Sequence, residues 1–183
     1  MKFSEGNLYH IYNRGNNRQP VFFEERNYEF FRTKIRKHII KYSELICYSL
    51  MPNHFHLMVH IKDNKLENGL NNEIGVMLRS YTRAINLQEE RTGSLFQQKT
   101  KAKNVNSHSV ICFNYIHQNP LKAGLVDKIE DWEYSSFNEY SGKSRNPICN
   151  IELGRNIIEF KTIEDLYKLS SQNINQEETD ELF

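Results

Sequence analysis

The sequence predicts an α+β domain of the ferredoxin-like, split-βαβ type, an antiparallel sheet with helices packed on one face. Three observations lead to this prediction. Between Leu8 and Val105 the apolar pattern changes in the order strand, helix, strand, strand, helix, strand. The two central strands are separated only by Pro52 and Asn53, a turn-forming pair. The chain has 183 residues, 38% of them hydrophobic, which suffices for one core and a small appendage.

Each element follows from its local pattern. The first strand, LYHIYNRG, alternates apolar and polar residues before an Asn and Gly cluster, and the first helix, NYEFFRTKIRKHIIKY, has apolar residues at helical spacing. ELICYSLM and HFHLMVHI form a hairpin, and a second helix begins with GLNNEIGVMLRS. GSLFQQKTKAKNV is a further extended segment. NSHSVICFNYIHQNP is a third helix, which Pro120 is expected to end.

The organisation and charge of the chain divide it into two parts. Residues 1–140 are expected to form the main domain, and residues 141–183 an appendage that is partly helical and ends in an acidic, frayed tail. Up to Val126 there are 18 basic and 10 acidic residues; from Asp127 onward there are 6 and 13. This asymmetry indicates either a polyanionic partner for the basic part or charge scattered over solvated surfaces.

The sequence also predicts the cellular compartment of the protein. No apolar run follows the start and none is long enough to cross a bilayer, so no membrane association is expected. Cys47, Cys112 and Cys149 have neither disulfide-framework nor zinc-finger spacing. The predicted localisation is therefore cytoplasmic.

The hairpin's second arm carries an unusual set of histidines in MPNHFHLMVH. Because side chains alternate on a strand, His54 and His56 share a face, roughly 6–7 Å apart at Cα, and could bind one divalent cation. His60 lies on that face but about 13 Å beyond His56, too far for the same ion. Without further residues, the pair could equally be two surface histidines.

The third helix supplies what the pair lacks. Tyr115 and Asn119 are four residues apart and therefore lie on one face of that helix. An Asn carbonyl oxygen can bind a hard cation, and a tyrosine beside such a cation is a credible nucleophile toward a phosphodiester. Alternatively, Tyr115 is a core aromatic, as most of the ten tyrosines must be.

These motifs together resemble a known family. MPNHFHLMV, YIHQNPLKAGLV and WEYSSFNEY, with YHIYNRGNNRQPVFF and GSLFQQK, are similar to motifs of the HUH single-tyrosine transposases, and most closely to those of REP-associated tyrosine transposases. The resemblance extends from about Tyr9 to Tyr140. Asn119 matches the Asn-Pro of the REP-associated group, whereas many insertion-sequence relatives carry Gln there.

The resemblance implies a metal-dependent endonuclease and strand transferase that acts on single-stranded DNA near hairpins, with DNA-transposition chemistry. It implies that His54, His56 and Asn119 bind Mg²⁺ or Mn²⁺, and that Tyr115 forms a 5′-phosphotyrosine intermediate. Relatives of this kind include monomers and dimers that share active sites, so a homodimer and a monomer both stay open.

Several basic residues are candidates for contacting DNA. Lys99, Lys101 and Lys103 point the same way if their segment is extended, which would suit a row of phosphates. Lysines on an exposed edge strand also prevent aggregation. Arg14 and Arg18, just after the first strand, could contact bases or phosphates. Arg79 and Arg83 are expected on a solvated helix face.

Two alternatives to the nuclease remain at this point. One is a domesticated protein that binds hairpin or single-stranded DNA without physiological transposition. The other is a hydrolase resembling the histidine-triad nucleotide hydrolases, but these need an H-x-H-x-H pattern. Here the third histidine, His60, comes six residues after His54, in the wrong register.

Overall fold

The computed structural model describes residues 2–62 and 69–183. Four strands and three helices make up the main body: β1 (Leu8–Arg14), α1 (Glu25–His38), β2 (Ser43–Met51), β3 (His54–Ile61), α2 (Gly69–Gln88), β4 (Lys101–Asn104) and α3 (Ser109–Lys122). Four shorter helices follow: α4 (Phe137–Tyr140), α5 (Ile151–Ile158), α6 (Ile163–Ser170) and α7 (Gln176–Asp180).

The sheet confirms the predicted ferredoxin-like arrangement. Its strand order is β2-β3-β1-β4, and every neighbouring pair is antiparallel. The hairpin of β2 and β3 turns at Pro52 and Asn53, as expected. The extended segment before α3 forms a shorter strand than predicted, because its continuous pairing with β1 covers Lys101–Asn104 and, before it, the Gln97 N–H bonds Arg14 O.

One face of the sheet carries α1 and α2. Buried residues of the two helices, among them Phe31 and Tyr81, pack against Phe55 and Leu57 of β3 in one hydrophobic cluster. These apolar side chains explain the periodicity in the sequence, since each helix turns one apolar stripe toward the strand residues that alternate inward.

The other face of the sheet is covered by α3. Phe113 and Ile116 of this helix share a second hydrophobic cluster with Cys47 of β2 and Met58 of β3. The prediction that the helices lie on one face of the sheet therefore holds for α1 and α2, the helices of the ferredoxin-like pattern. The additional helix α3 lies on the opposite face. Met58 is fully buried under α3 although it shares its strand face with the histidines.

The WEYSSFNEY segment closes the free edge of β2. Tyr134 O accepts from the Leu50 N–H, and the Ser136 N–H donates to Tyr48 O, as in an added strand. The Tyr140 hydroxyl donates to Ile46 O at 2.6 Å, at the bulge in β2. An exposed edge would otherwise leave these backbone groups unpaired.

The appendage of residues 141–183 packs on the body of the protein. Ile158, Phe160 and Leu166 belong to the cluster that includes α3, and Leu182 is fully buried there. The last residues thus do not fray as the acidic composition suggested, because two apolar side chains follow the charged α7. The division of the chain at residue 140 stays a prediction. Among the described residues, no helix is both long and apolar enough to span a membrane.

Candidate active site

The strand β3 presents its two faces as its alternation predicts. Phe55, Leu57 and Val59 are buried beneath α1 and α2. His54 and His56 consequently project from the opposite face. His56 is almost fully buried, whereas His54 is partly exposed.

The neighbouring strand β1 adds three side chains to this face. Arg14 is the partner of His54 in the antiparallel register, and Tyr12 is the partner of His56. His10 lies two residues before Tyr12 and stacks on it, with ring centroids 4.7 Å apart. Directly paired residues of antiparallel strands share a face, so β1 and β3 together form the floor of the site.

The helix α3 brings Tyr115 and Asn119 to the histidines. Asn119 Oδ1 lies 3.3 Å from His54 Nε2. The Tyr115 ring stands edge-on to the His56 ring, with centroids 5.5 Å apart and planes at 87°. Both residues point toward β3 from successive turns of the helix, as their spacing predicts.

The prediction that Pro120 ends this helix is wrong. The helix continues to Lys122 and ends where the Leu125 N–H bonds Pro120 O and Gly124 takes a left-handed conformation, φ 66°. A proline removes one helical N–H, which costs little when less than one further turn follows. Asn119 therefore lies one turn before the end of the helix.

The hydrogen bonds of His54 fix its orientation. Its Nδ1 lies 2.6 Å from Asn53 Oδ1, and the Asn53 amide nitrogen donates to Arg18 O. Because this orients the amide, Asn53 Oδ1 can only accept, so His54 Nδ1 carries the proton. Neutral His54 then turns an unprotonated Nε2 toward Asn119. Burial lowers the pKa of His54, which favours the neutral form.

His56 is buried more deeply than His54, and among the described residues only one of its two ring nitrogens has a hydrogen-bond partner. His56 Nδ1 lies 2.8 Å from His10 Nε2. His56 Nε2 is buried and has no hydrogen-bond partner within the described part of the chain. Burial, followed by the nearby His10 and His54, holds the pKa of His56 well below its usual value.

The nucleophile candidate Tyr115 is partly buried beside this pair. Burial raises the pKa of Tyr115, while hydrogen bonding to Asn119 acts in the opposite direction. Its hydroxyl is therefore protonated at neutral pH, and ionisation would require an additional positive charge nearby.

The histidines, Tyr115 and four basic residues line one cavity of about 260 Å³. The basic residues are Arg14, Arg18, Lys99 and Lys101. The Lys101 ammonium lies 5.9 Å from the centre of the Tyr12 ring. Four of the five basic residues predicted to contact DNA thus surround the candidate catalytic groups.

The remaining sequence candidates lie elsewhere. Lys103 points from the same face of β4 but does not line the cavity. Arg79 and Arg83 line a separate groove between α2 and the segment before β4. His60 borders a third cleft with Glu44 and Lys62, away from His54 and His56.

Three residues of the site were missed by sequence reasoning. His10 and Tyr12 could have been found by pairing β1 with β3, since their even numbering puts them on the histidine face. Phe183 had no local signal. Its ring lies edge-on to the rings of Tyr12 and Tyr115, with centroid distances of 4.9 Å and 5.4 Å, and it is far from both residues in sequence.

The fold and the site define a ferredoxin-like protein with paired histidines on a central strand facing a helical tyrosine. The chain belongs to the family of IS200-like transposases, whose model matches residues 4–119. A protein of Haemophilus influenzae named as a REP-associated tyrosine transposase is 26% identical over 110 residues. That match covers 52% of this chain and 59% of the relative, so the chain matches only part of it.

The fold likeness extends further than the sequence likeness. The solved structure of a REP-associated tyrosine transposase bound to a REP hairpin superimposes with a TM-score of 0.61 at 19% identity. The superposition covers 80% of this chain and 86% of that one. The ferredoxin-like fold predicted from the sequence is thereby confirmed, and so is the resemblance to this group of transposases.

Proposed function

We propose that this protein is a metal-dependent endonuclease and strand transferase for single-stranded DNA that acts next to hairpins through a 5′-phosphotyrosine intermediate. The observation that carries the proposal is that His54, His56 and Tyr115 line one cavity with four basic residues, while Asn119 contacts His54 at 3.3 Å. The family membership and the hairpin bound to the structural relative support the substrate class.

The donor set fits a divalent cation. His54 Nε2 and Asn119 Oδ1, both acceptors, face each other at 3.3 Å, an unfavourable pair unless a proton or cation lies between them. Within residues 2–62 and 69–183, His56 Nε2 is buried and has no partner, which costs free energy that a bound cation would offset. No group of three His, Cys, Asp or Glu residues suited to a metal occurs in residues 2–62 and 69–183. The third ligand we propose is the amide oxygen of Asn119, a type of ligand that hard cations accept.

In the proposed reaction, the metal ion and the protein side chains have separate roles. Bound Mg²⁺ or Mn²⁺ would neutralise charge on the phosphoryl oxygens. His54, His56 and Asn119 would hold the ion. Tyr115 Oη attacks phosphorus in line, its proton leaves to solvent, the P–O3′ bond breaks and the departing 3′ oxygen takes up a proton. The products are a 5′-phosphotyrosine and a free 3′-OH, and attack by a 3′-OH on the phosphotyrosine reverses the step.

Two tyrosines face the cavity, and Tyr115 is the better nucleophile. Asn119 stabilises the Tyr115 phenolate, and in the described residues no comparable hydrogen bond lowers the pKa of Tyr12. Tyr12 instead stacks on His10 beneath Lys101, which suits a base or sugar contact. Tyr12 is thus a natural control for Tyr115.

The test is the formation of a covalent protein–DNA adduct. The protein is incubated with a single strand bearing a hairpin and Mn²⁺ or Mg²⁺, and adducts that survive denaturation are counted. We expect adducts with the wild type and with Tyr12→Phe, and none with Tyr115→Phe. Adducts that persist in Tyr115→Phe, or fail to form with any hairpin strand, would overturn the proposal.

A second candidate function is hairpin or single-strand binding without physiological transposition. The observation favouring it is the Phe183 ring, which lines the cavity and lies edge-on to both Tyr12 and Tyr115. His54→Ala and His56→Ala separate the two functions. We expect both variants to lose cleavage and retain most hairpin binding; a wild type that binds hairpins without cleaving them would favour this second function.

A further inference from the structure

His10 is a buried polar residue for which the proposed reaction has no use. Its side chain is fully buried in the site floor, and the YHI motif that contains it was never assigned a role. Each ring nitrogen has one polar neighbour. Nδ1 lies 3.1 Å from Leu182 O, and Nε2 lies 2.8 Å from His56 Nδ1.

These contacts fix the protons on both imidazoles, in a chain that starts from a backbone carbonyl. The oxygen of Leu182 can only accept, so His10 Nδ1 must donate. Neutral His10 then has an unprotonated Nε2, which can only accept from His56 Nδ1. His56 is thereby left with an unprotonated Nε2, the atom that has no protein partner in the described residues.

Both imidazoles are neutral in this arrangement. Burial lowers the pKa of His10 to about 4 and holds that of His56 well below its usual value. A charged His10 could instead donate from Nε2 to an unprotonated His56 Nδ1, but it would put a charge in a fully buried site. With both rings neutral, the geometry has one consistent assignment.

The acceptor carbonyl is itself held rigidly. Leu182 is fully buried, and its N–H bonds Thr179 O at the end of α7. The α7 helix begins with a capping box between Asn175 and Glu178. Next to the carbonyl, the Phe183 ring lies edge-on to His10, with ring centroids 5.5 Å apart. The C-terminal residues thus border the site on the same face of the sheet as α3.

We propose that His10 is a positioning residue that holds His56 as its Nδ1–H tautomer, with the Leu182 carbonyl holding His10 in turn. In water neutral histidine prefers the Nε2–H tautomer, which would direct a proton rather than a lone pair into the site. The consequence for metal binding rests on the proposed function. Partners that orient a metal-binding histidine in this way typically change metal affinity by about 10–100-fold.

The tautomers can be read without metal or DNA. Long-range ¹H–¹⁵N spectra of the metal-free protein distinguish Nδ1–H from Nε2–H imidazoles. We expect His10 and His56 both to be Nδ1–H tautomers in the wild type. In His10→Phe, we expect His56 to change to Nε2–H, while His60→Phe, from the same strand face outside the site, leaves it unchanged. An Nε2–H tautomer of His56 in the wild type would overturn the proposal, whatever the variants do.

Mn²⁺ affinity, measured by titration of the folded proteins, tests the consequence. We expect His10→Phe to bind Mn²⁺ about 10–100-fold more weakly and His10→Gln, whose Oε1 can accept from His56, to recover most of the loss. Deletion of Leu182 and Phe183 should weaken binding in the same direction. An unchanged affinity in folded His10→Phe would contradict the positioning role. A wild type with the expected tautomers but no Mn²⁺ binding would refute the metal site and leave the tautomer assignment intact.

Discussion

The helix that presents Tyr115 is anchored by His117, and this anchor should be sensitive to acid. His117 is fully buried on the opposite side of α3 and lies 2.7 Å, through Nε2, from Ser136 Oγ. Ser136 belongs to the segment that closes the edge of β2. Burial lowers the pKa of His117 to about 3. The perturbation is a change from pH 7 to pH 5 in the wild type and in His117→Gln.

The sign and size follow from linkage. In the unfolded chain, His117 becomes protonated as the pH falls below 6.5, the ordinary pKa of histidine. In the folded chain it stays neutral until the pH falls to about 3. The contribution of His117 to stability is therefore complete above pH 6.5 and is lost as the pH falls toward 3. At pH 5 the loss is about 2 kcal/mol, and it depends little on the native value because folded His117 stays neutral there.

Urea unfolding at both pH values measures this loss, with the fluorescence of Trp132 as the probe. His117→Gln keeps a donor for Ser136 and cannot titrate. Between pH 7 and pH 5, we expect the free energy of unfolding to fall by about 2 kcal/mol more in the wild type than in His117→Gln. The other titrating groups are common to both proteins. Equal losses in the two proteins would show that His117 is not held neutral, and would refute the reasoning.

Two further predictions concern the basic rim and the core. Replacing both Lys99 and Lys101 by Ala should weaken single-strand binding and reduce the slope of log affinity against log salt by about 0.7 per lysine, whereas Lys103→Ala should leave the slope nearly unchanged. An equal effect of Lys103→Ala would contradict the proposed path. Gly154→Ala should cost about 1–3 kcal/mol, because its Cβ would overlap the buried Tyr140 hydroxyl. Thermal unfolding checks this, and an unchanged melting temperature would argue against the close packing.

Local pattern was sufficient for the parts of the site that a single element defines. Alternation along β3 assigned His54 and His56 to one face, and helical spacing brought Tyr115 and Asn119 together on α3. Both relations depend only on the geometry within one element, so the sequence determines them directly. The strands of the sheet could be predicted for the same reason, since most of them show a local apolar pattern of their own.

The missing parts depend on contacts that are distant in sequence. His10 contacts His56 across 46 residues and Leu182 across 172. A pattern within β1 cannot report either partner. Phe183 follows an acidic helix whose composition indicated disorder, and only the tertiary structure shows that Leu182 is buried. The helix α3 crosses the opposite face of the sheet for the same reason, since its apolar stripe does not specify which face it covers.

The identity of the modified residue tests the central claim most directly. A hairpin-bearing single strand is reacted with the wild-type protein and Mn²⁺, the adduct is digested with protease and nuclease, and the peptide that retains a nucleotide is sequenced by mass spectrometry. We predict a phosphodiester-linked nucleotide on Tyr115. Attachment at Tyr12 or at another residue, or a complete absence of modified peptide, would contradict the proposed reaction.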